Sequence, residues 1–241
     1  MLQPLWKVLA ILAAGCFLAP HAALAQEPTP AQLISRIDAA VQTRFDNIAS
    51  YTVTEHYSVF RNGDLIHPAA EMTVKTTYKR ETGKSYQILT ESGSEILRRM
   101  VLRSVLSNEQ EVNRPGVREG AFFTSSNYRM TVKPGGAQQM DGRSCYAVEI
   151  QPKPNSQHLV AGTLWADAAN GQIVQVEGKV QKGLSLFTGA VQVFRKYASV
   201  DGFAQATYAR AESNSVLLGR TVVTIDYRDY QIVADAKPAT K

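Results

Sequence analysis

Few side chains in this sequence are placed to make or break a covalent bond. Of the four histidines, His21 sits in the N-terminal apolar segment, His56 and His158 lie on or beside predicted strands, and His67 precedes Pro68. Their spacing gathers no metal-ligand set. The two cysteines, Cys16 and Cys145, cannot form a metal cage or a disulfide framework. Cys145 has neither a histidine nor a helix start near it in sequence, so it reads as packing rather than as a nucleophile. Glu55 and Glu149 have the chemistry of a general acid and base. Glu55 shares a strand face with Val53 and Tyr57, and both carboxylates read more simply as groups on strand rims. The chain has no G-x-S-x-G elbow, phosphate-binding P-loop, H-E-x-x-H helix or dinucleotide glycine pattern. An exported hydrolase would lack a nucleophile paired with a base. The residue types therefore point away from an enzyme and call for no metal or cofactor.

The chemistry that does stand out is basic. Arg98, Arg99 and Arg103 fall on one predicted helix, with Arg114 and Arg118 close behind. Such a row is either a solvated face or a surface for anionic headgroups or a partner protein. The formal charge of +5, from 26 basic and 21 acidic residues, is too mild to imply nucleic acid.

The elements that must position these groups follow from periodicity. Residues 1–25 read as an export signal, with Lys7 as the positive start, an apolar run from Val8 to Leu18, and Ala23-Leu24-Ala25 as the cleavage site. Ala14-Gly15-Cys16 resembles the end of a lipobox, so anchoring through an acylated Cys16 is the alternative, although Ala13 stands where leucine is usual. Nothing after residue 25 is apolar for long enough to form another span. Thr29-Pro30 then announces a helix, and Leu33, Ile37, Val41 and Phe45 recur at i, i+4.

From Tyr51 the period becomes two. Tyr51, Val53, Tyr57 and Val59 alternate with polar residues, as do Met72, Val74, Thr76 and Tyr78, and Tyr86 with Ile88 marks a third strand. Ser94 opens a second helix whose stripe is Ile96, Leu97, Met100, Val101 and Val105, opposite Glu95, Arg98, Arg99 and Arg103. Everything after Pro115-Gly116 reads as antiparallel strands, with hairpin signals at residues 167–171 and at Asp201-Gly202. Two helices and nine or ten strands without a βαβ rhythm predict a mainly β (α+β) fold. Its core would be one large, strongly curved antiparallel sheet, an unclosed β-barrel, with the helices covering its concave face. Residues 26–233 read as a single domain and 234–241 as a polar, frayed tail.

Two stretches carry a family resemblance. Residues 141–153, Asp-Gly-Arg-Ser-Cys-Tyr-Ala-Val-Glu-Ile-Gln-Pro-Lys, resemble a strand of periplasmic lipoprotein carriers. Gly162-Thr163-Leu164-Trp165-Ala166-Asp167 and residues 170–178 are similar to the following W-x-D…G hairpin. With the exported start and the leading helix, the chain resembles the LolA/LolB-type outer-membrane lipoprotein-sorting superfamily. It departs from that group at residues 94–113, where an arginine-bearing helix replaces a short aromatic strand.

The resemblance implies a helical lid over an apolar cavity that holds acyl chains. The residues expected at the cavity and lid are Val53, Tyr57, Val59, Met72, Val74, Tyr78, Leu97, Met100, Val101, Trp165, Val174 and Val176. Arg98, Arg99 and Arg103 are expected to meet headgroups or a partner. The function so implied is non-enzymatic carriage of a lipid or of a lipoprotein acyl chain in the periplasm. Peripheral membrane contact and inner- or outer-membrane protein partners go with it. The alternative is an envelope scaffold that binds a protein partner through its curved sheet. An intact mass beginning at Gln26 without acyl groups is the expected product of export, and a diacylglyceryl-modified Cys16 would overturn it.

Overall fold

The structure, a computed structural model, describes residues 27–154, 159–180, 191–215 and 219–235. The expected export signal, His158 and most of the tail lie outside these residues. Helix α1 (Pro30–Asn47) starts where the sequence signals it. The Thr29 side chain accepts from the Gln32 N–H at 3.3 Å, and the Gln32 side chain accepts from the Thr29 N–H at 2.9 Å. This reciprocal pair, with proline at the first helical position, satisfies donors that helix starts otherwise leave open.

Three long strands follow, β1 (Ile48–Arg61), β2 (Ala70–Lys79) and β3 (Gly83–Gly93). The second helical unit is interrupted: α2 (Glu95–Leu97), a π-helical turn (Arg98–Leu102) and α3 (Arg103–Val112). A short 3-10 turn (Arg118–Ala121) leads into β4 (Tyr128–Val132), β5 (Gln138–Met140), β6 (Arg143–Pro152), β7 (Val160–Asp167) and β8 (Ile173–Val180). The last strands are β9 (Val191–Val200), β10 (Phe203–Ser215) and β11 (Gly219–Ala234).

The π turn corrects the expected helical stripe. The Arg103 N–H donates to the Arg98 carbonyl, five residues back, so one extra residue enters the turn. Leu97, Val101, Leu102 and Leu106 become the buried set. Met100 is left half-buried, and Ile96 is 57% exposed.

All eleven strands described form one antiparallel sheet in the order β3-β2-β1-β11-β10-β9-β8-β7-β6-β4, with β5 on the outer part of β6. Strands β3 and β4 remain at its two ends, so the sheet curls without closing. The first and last strands are neighbours, with Glu55 opposite Tyr227, Tyr57 opposite Ile225 and Val59 opposite Val223. The final strand runs further than expected, to Ala234. The Asp235 N–H still donates to the Asn47 carbonyl, and its carboxylate pairs with Arg80.

The helices cover the two wings of this sheet. Leu33 and Ile37 of α1 pack with Tyr146, Val148, Ile150 and Leu164 on the β4–β8 wing. Leu97, Val101, Leu102 and Leu106 pack with Tyr57, Ala70, Met72 and Val74 on the β1–β2 wing. Each such side chain contributes roughly 1.5–3 kcal/mol by leaving water.

Two glycine features let the sheet curl and dock. Gly162 and Gly178 face each other across β7 and β8, and a Cβ on Gly162 would lie 2.1 Å from the Glu177 carbonyl oxygen. Gly171, in the β7–β8 turn at φ +73°, touches α1, where a Cβ would fall 2.4 Å from the Arg36 carbonyl carbon. Gly171→Ala is therefore expected to cost about 2 kcal/mol, from left-handed backbone and lost helix contact together. Urea unfolding of the two proteins checks this, and an unchanged midpoint would detach the turn from α1.

Candidate functional site: the interior cavity

Between the two wings α1 and α3 reach the middle strands without filling the space over them, and there the sheet presents small side chains. Ala209 and Ala211 of β10 face the interior, on the strand face that carries Gln205 further back. The space left open is about 660 Å³. Were it dry and sealed, a void that size would cost about 16 kcal/mol at ~24 cal/mol per Å³. That exceeds the roughly 5–15 kcal/mol net stability of a whole domain. The cavity must therefore communicate with solvent or be filled.

One length of its wall is apolar. Val193, Ala209, Ala211, Val223 and Ile225 come from the sheet, and Val105 and Val112 from α3. A charged cluster interrupts this surface. Glu109 of α3 accepts from Lys84 Nζ at 2.9 Å and from Arg195 Nη2 at 3.3 Å. The Lys84 ammonium, with Arg195 in support, holds the Glu109 carboxyl down at about 2 against the opposing effect of burial. Burial pulls Lys84 down, yet the Glu109 carboxylate together with Tyr51, Glu55 and Tyr227 outweighs it and leaves the ammonium well above its ordinary range. Beside this cluster Glu55, 3% exposed, accepts from the Tyr57 hydroxyl. Burial, reinforced by Glu55, raises the Tyr57 phenol well above 10.

Further along the strands the cavity is ringed by Arg44 of α1, Arg118 of the 3-10 turn, Gln205 of β10, Tyr51 and Tyr230. Arg44 donates to the Ala204 carbonyl and to Gln205 Oε1, both at 2.9 Å. The Tyr230 hydroxyl donates to the Ala206 carbonyl at 2.9 Å. The Arg118 guanidinium lies 4.8 Å from the Phe45 ring centroid and 5.8 Å from that of Tyr78.

Of the side chains expected at the cavity, Val176 borders it. Tyr57, Val59, Met72 and Val74 are instead sealed in the core beneath Leu97 of α2 and Val101 of the π turn, which are buried with them. Val53 and Tyr78 pack with Ile48 and Tyr51 at the base of β1. Ile173 takes the place expected of Val174, because the β7–β8 register skips Val174 between Gln175 and Ile173. Trp165 pairs with Gln175, one step from the inward Leu164–Val176 pair, which puts it on the other face of the sheet. Met100 does not border the cavity. Arg98 and Arg103 reach the Glu91 carboxylate on β3 at 3.3 and 2.9 Å, and Arg99 is exposed.

Sequence reading passed over Arg44, Lys84, Glu109, Arg195 and Gln205. Two signals for them exist. Alternate alanines in β10 mark a strand face with nothing to fill the space before it, and Arg195 stands in a face otherwise made by Val191, Val193 and Tyr197. Nothing in the sequence marks Glu109. Among the described residues no three His, Cys, Asp or Glu side chains gather to hold a metal. No described helix is long and apolar enough to cross a membrane.

No protein-family model matches the chain, and no curated protein matches it in sequence. Solved structures are similar to it over most of their length. A LolA superfamily protein from Nitrosomonas europaea is 13% identical, with 86% of this chain and 94% of that one covered and a TM-score of 0.46. A putative outer membrane lipoprotein-sorting protein domain from Vibrio parahaemolyticus is 12% identical, with 83% and 92% covered and a TM-score of 0.46. A DUF1329 family protein from Desulfovibrio piger is 14% identical, with 84% and 94% covered and a TM-score of 0.44.

The cluster makes stability depend on acid. Because folding depresses Glu109 from 4.5 to about 2, its contribution is full above 4.5 and lost as pH falls through 2. The stability advantage of the native protein over Glu109→Gln is expected to shrink by about 3 kcal/mol across that window. Denaturant melts at pH 6, 4 and 2.5 measure it, and a gap independent of pH would take Glu109 out of the network.

Proposed function

We propose that the cavity binds the alkyl chain of a lipid-like amphiphile, and that the protein holds or carries such molecules in the cell envelope. The observation that carries this reading is the open volume over an alanine wall in an otherwise well-filled fold. Natural ligand pockets run from about 300 to 1,000 Å³ and are mostly apolar with a few fixed polar groups, and this cavity fits that description in size and lining. Ten methylenes transferred from water would contribute roughly 8 kcal/mol before ordering costs, enough for micromolar affinity.

Binding rather than turnover suits the chemistry of the wall. No Ser, Cys or His is among the described residues that border the cavity, and its one lysine is engaged by Glu109.

Filling the alanine wall tests the reading. Ala211→Phe is expected to weaken uptake of a fluorescent long-chain fatty acid at least tenfold, with the melting temperature unchanged or raised. Uptake equal to that of the native protein would move the chain elsewhere, and no saturable uptake by the native protein would remove the proposal.

A further inference from the structure

We propose that the cavity selects amphiphiles with an anionic head, and that Arg118, Gln205 and Arg44 are its head site. This inference rests on the alkyl-chain reading above and adds the chemistry of the other end of the ligand.

The first observation is a surplus of positive charge. Four basic side chains face the cavity, Arg44, Lys84, Arg118 and Arg195, against two carboxylates, Glu55 and Glu109, among the described residues. Glu109 takes Lys84 and Arg195. Arg44 has only neutral acceptors, a carbonyl and an amide oxygen. Arg118 has Glu119 on its Nε at 3.0 Å, through a carboxylate that is 44% exposed and screened by water.

The second observation is independent of charge. Arg118 Nη1 and Gln205 Nε2 are buried donors without an acceptor. The Arg118 side chain is only 8% exposed and Gln205 only 1%, so neither can turn outward to water. Arg44 fixes the sense of the Gln205 amide. Its guanidinium needs the oxygen, so the NH₂ group is the one left over, and flipping the amide would set donor against donor. A buried donor without an acceptor ordinarily costs stability, and both donors belong to residues that line one cavity.

The third observation is placement. The Arg118 guanidinium sits 4.8 Å from the ring centroid of Phe45, the residue after Arg44 on α1. Phe45 and Tyr78 flank the Arg118 guanidinium and fix it in position. On β10 the head site is at Gln205, and the apolar wall begins at Ala209 and continues past Ala211, with Ile225 and Val223 paired alongside. Six residues of strand separate Gln205 from Ala211, about 20 Å. Head and tail sites thus lie in line along the strands, as the two ends of a single-chain amphiphile do. The chemistry recognised is an oxyanion, a carboxylate or a phosphate monoester, which accepts from a guanidinium fork and an amide NH₂ together.

Isothermal titration of decanoate, decyl phosphate and 1-decanol, with inorganic phosphate as a fourth ligand, tests this on the native protein and on Arg118→Met and Gln205→Leu. The native protein is expected to bind the two anions at least tenfold more tightly than the alcohol. Each variant is expected to cut that preference to less than threefold. Equal affinity of the native protein for all three chains would overturn the head site and leave the alkyl-chain reading standing. No binding of any chain would remove both. Inorganic phosphate bound as tightly as decyl phosphate would overturn the lipid assignment in favour of a free oxyanion. If a variant fails to fold, the head-group comparison on the native protein decides alone.

Discussion

The ladder between β1 and β11 is the contact on which the rest depends. It joins the first strand of the described chain to the last, in register from Ile48 opposite Ala234 to Arg61 opposite Thr221. That pairing places β9, β10 and β11 in the middle of the sheet rather than at an end. Without it the β1–β3 meander with its helical unit and the strands from β4 onward would be separate half-sheets, each with a raw edge. Because the pairing spans almost the whole chain, its loop-closure entropy is lost before its contacts form, and folding is correspondingly slow.

Placing those strands centrally creates the cavity. An eleven-stranded sheet has more concave surface than α1 and the α2–α3 unit can cover, and the two lie on opposite wings. What remains must be filled by long side chains from the sheet or left open. β10 answers with alanine at alternate positions, while β3, β9 and α3 answer with charge. Lys84, Glu109 and Arg195 come from those three elements, so their cluster ties α3 to strands on both sides of the gap. A carboxylate between two cations in a partly desolvated wall is costly to break, since removing one member strands the others. The cluster therefore sets how α3 sits over the cavity as well as how polar the wall is.

Much of the architecture was legible because it depends on local signals. Thr29 and Pro30 announced α1, period-two alternation announced the strands, and the absence of βαβ units left an antiparallel sheet with two helices to cover it. The lining was not legible, because a strand residue facing a cavity and one facing a packed core are both apolar and inward. Tyr57 and Ile225 are paired neighbours on adjacent strands, yet one lies under the helical unit and the other also borders open space. Two single-residue irregularities moved other expectations. The π turn brings Leu102 inward and leaves Met100 half out, and the bulge near Val174 turns Ile173 to the cavity. Arg118 escaped because its burial is set by the path of a loop that brings it onto Phe45 of α1 and Tyr78 of β2, contacts far apart in sequence.

The features that weaken this fold when the cavity is empty are the ones that favour a ligand. Alanines in place of valine or leucine leave volume unfilled, and Arg118 and Gln205 carry donors with nothing to accept from them. A sequence selected for stability alone would fill the first and pair the second, as most substitutions that stabilise natural proteins do. Both departures fall on one cavity, at opposite ends of the same strand. An alkyl chain would relieve the unfilled volume and an oxyanion the unpaired donors, so a molecule carrying both stabilises the folded state by its own binding free energy. On the proposed reading, the cost retained in the unliganded protein would be the source of affinity, and the distance between the two ends would set the length of ligand that recovers it in full.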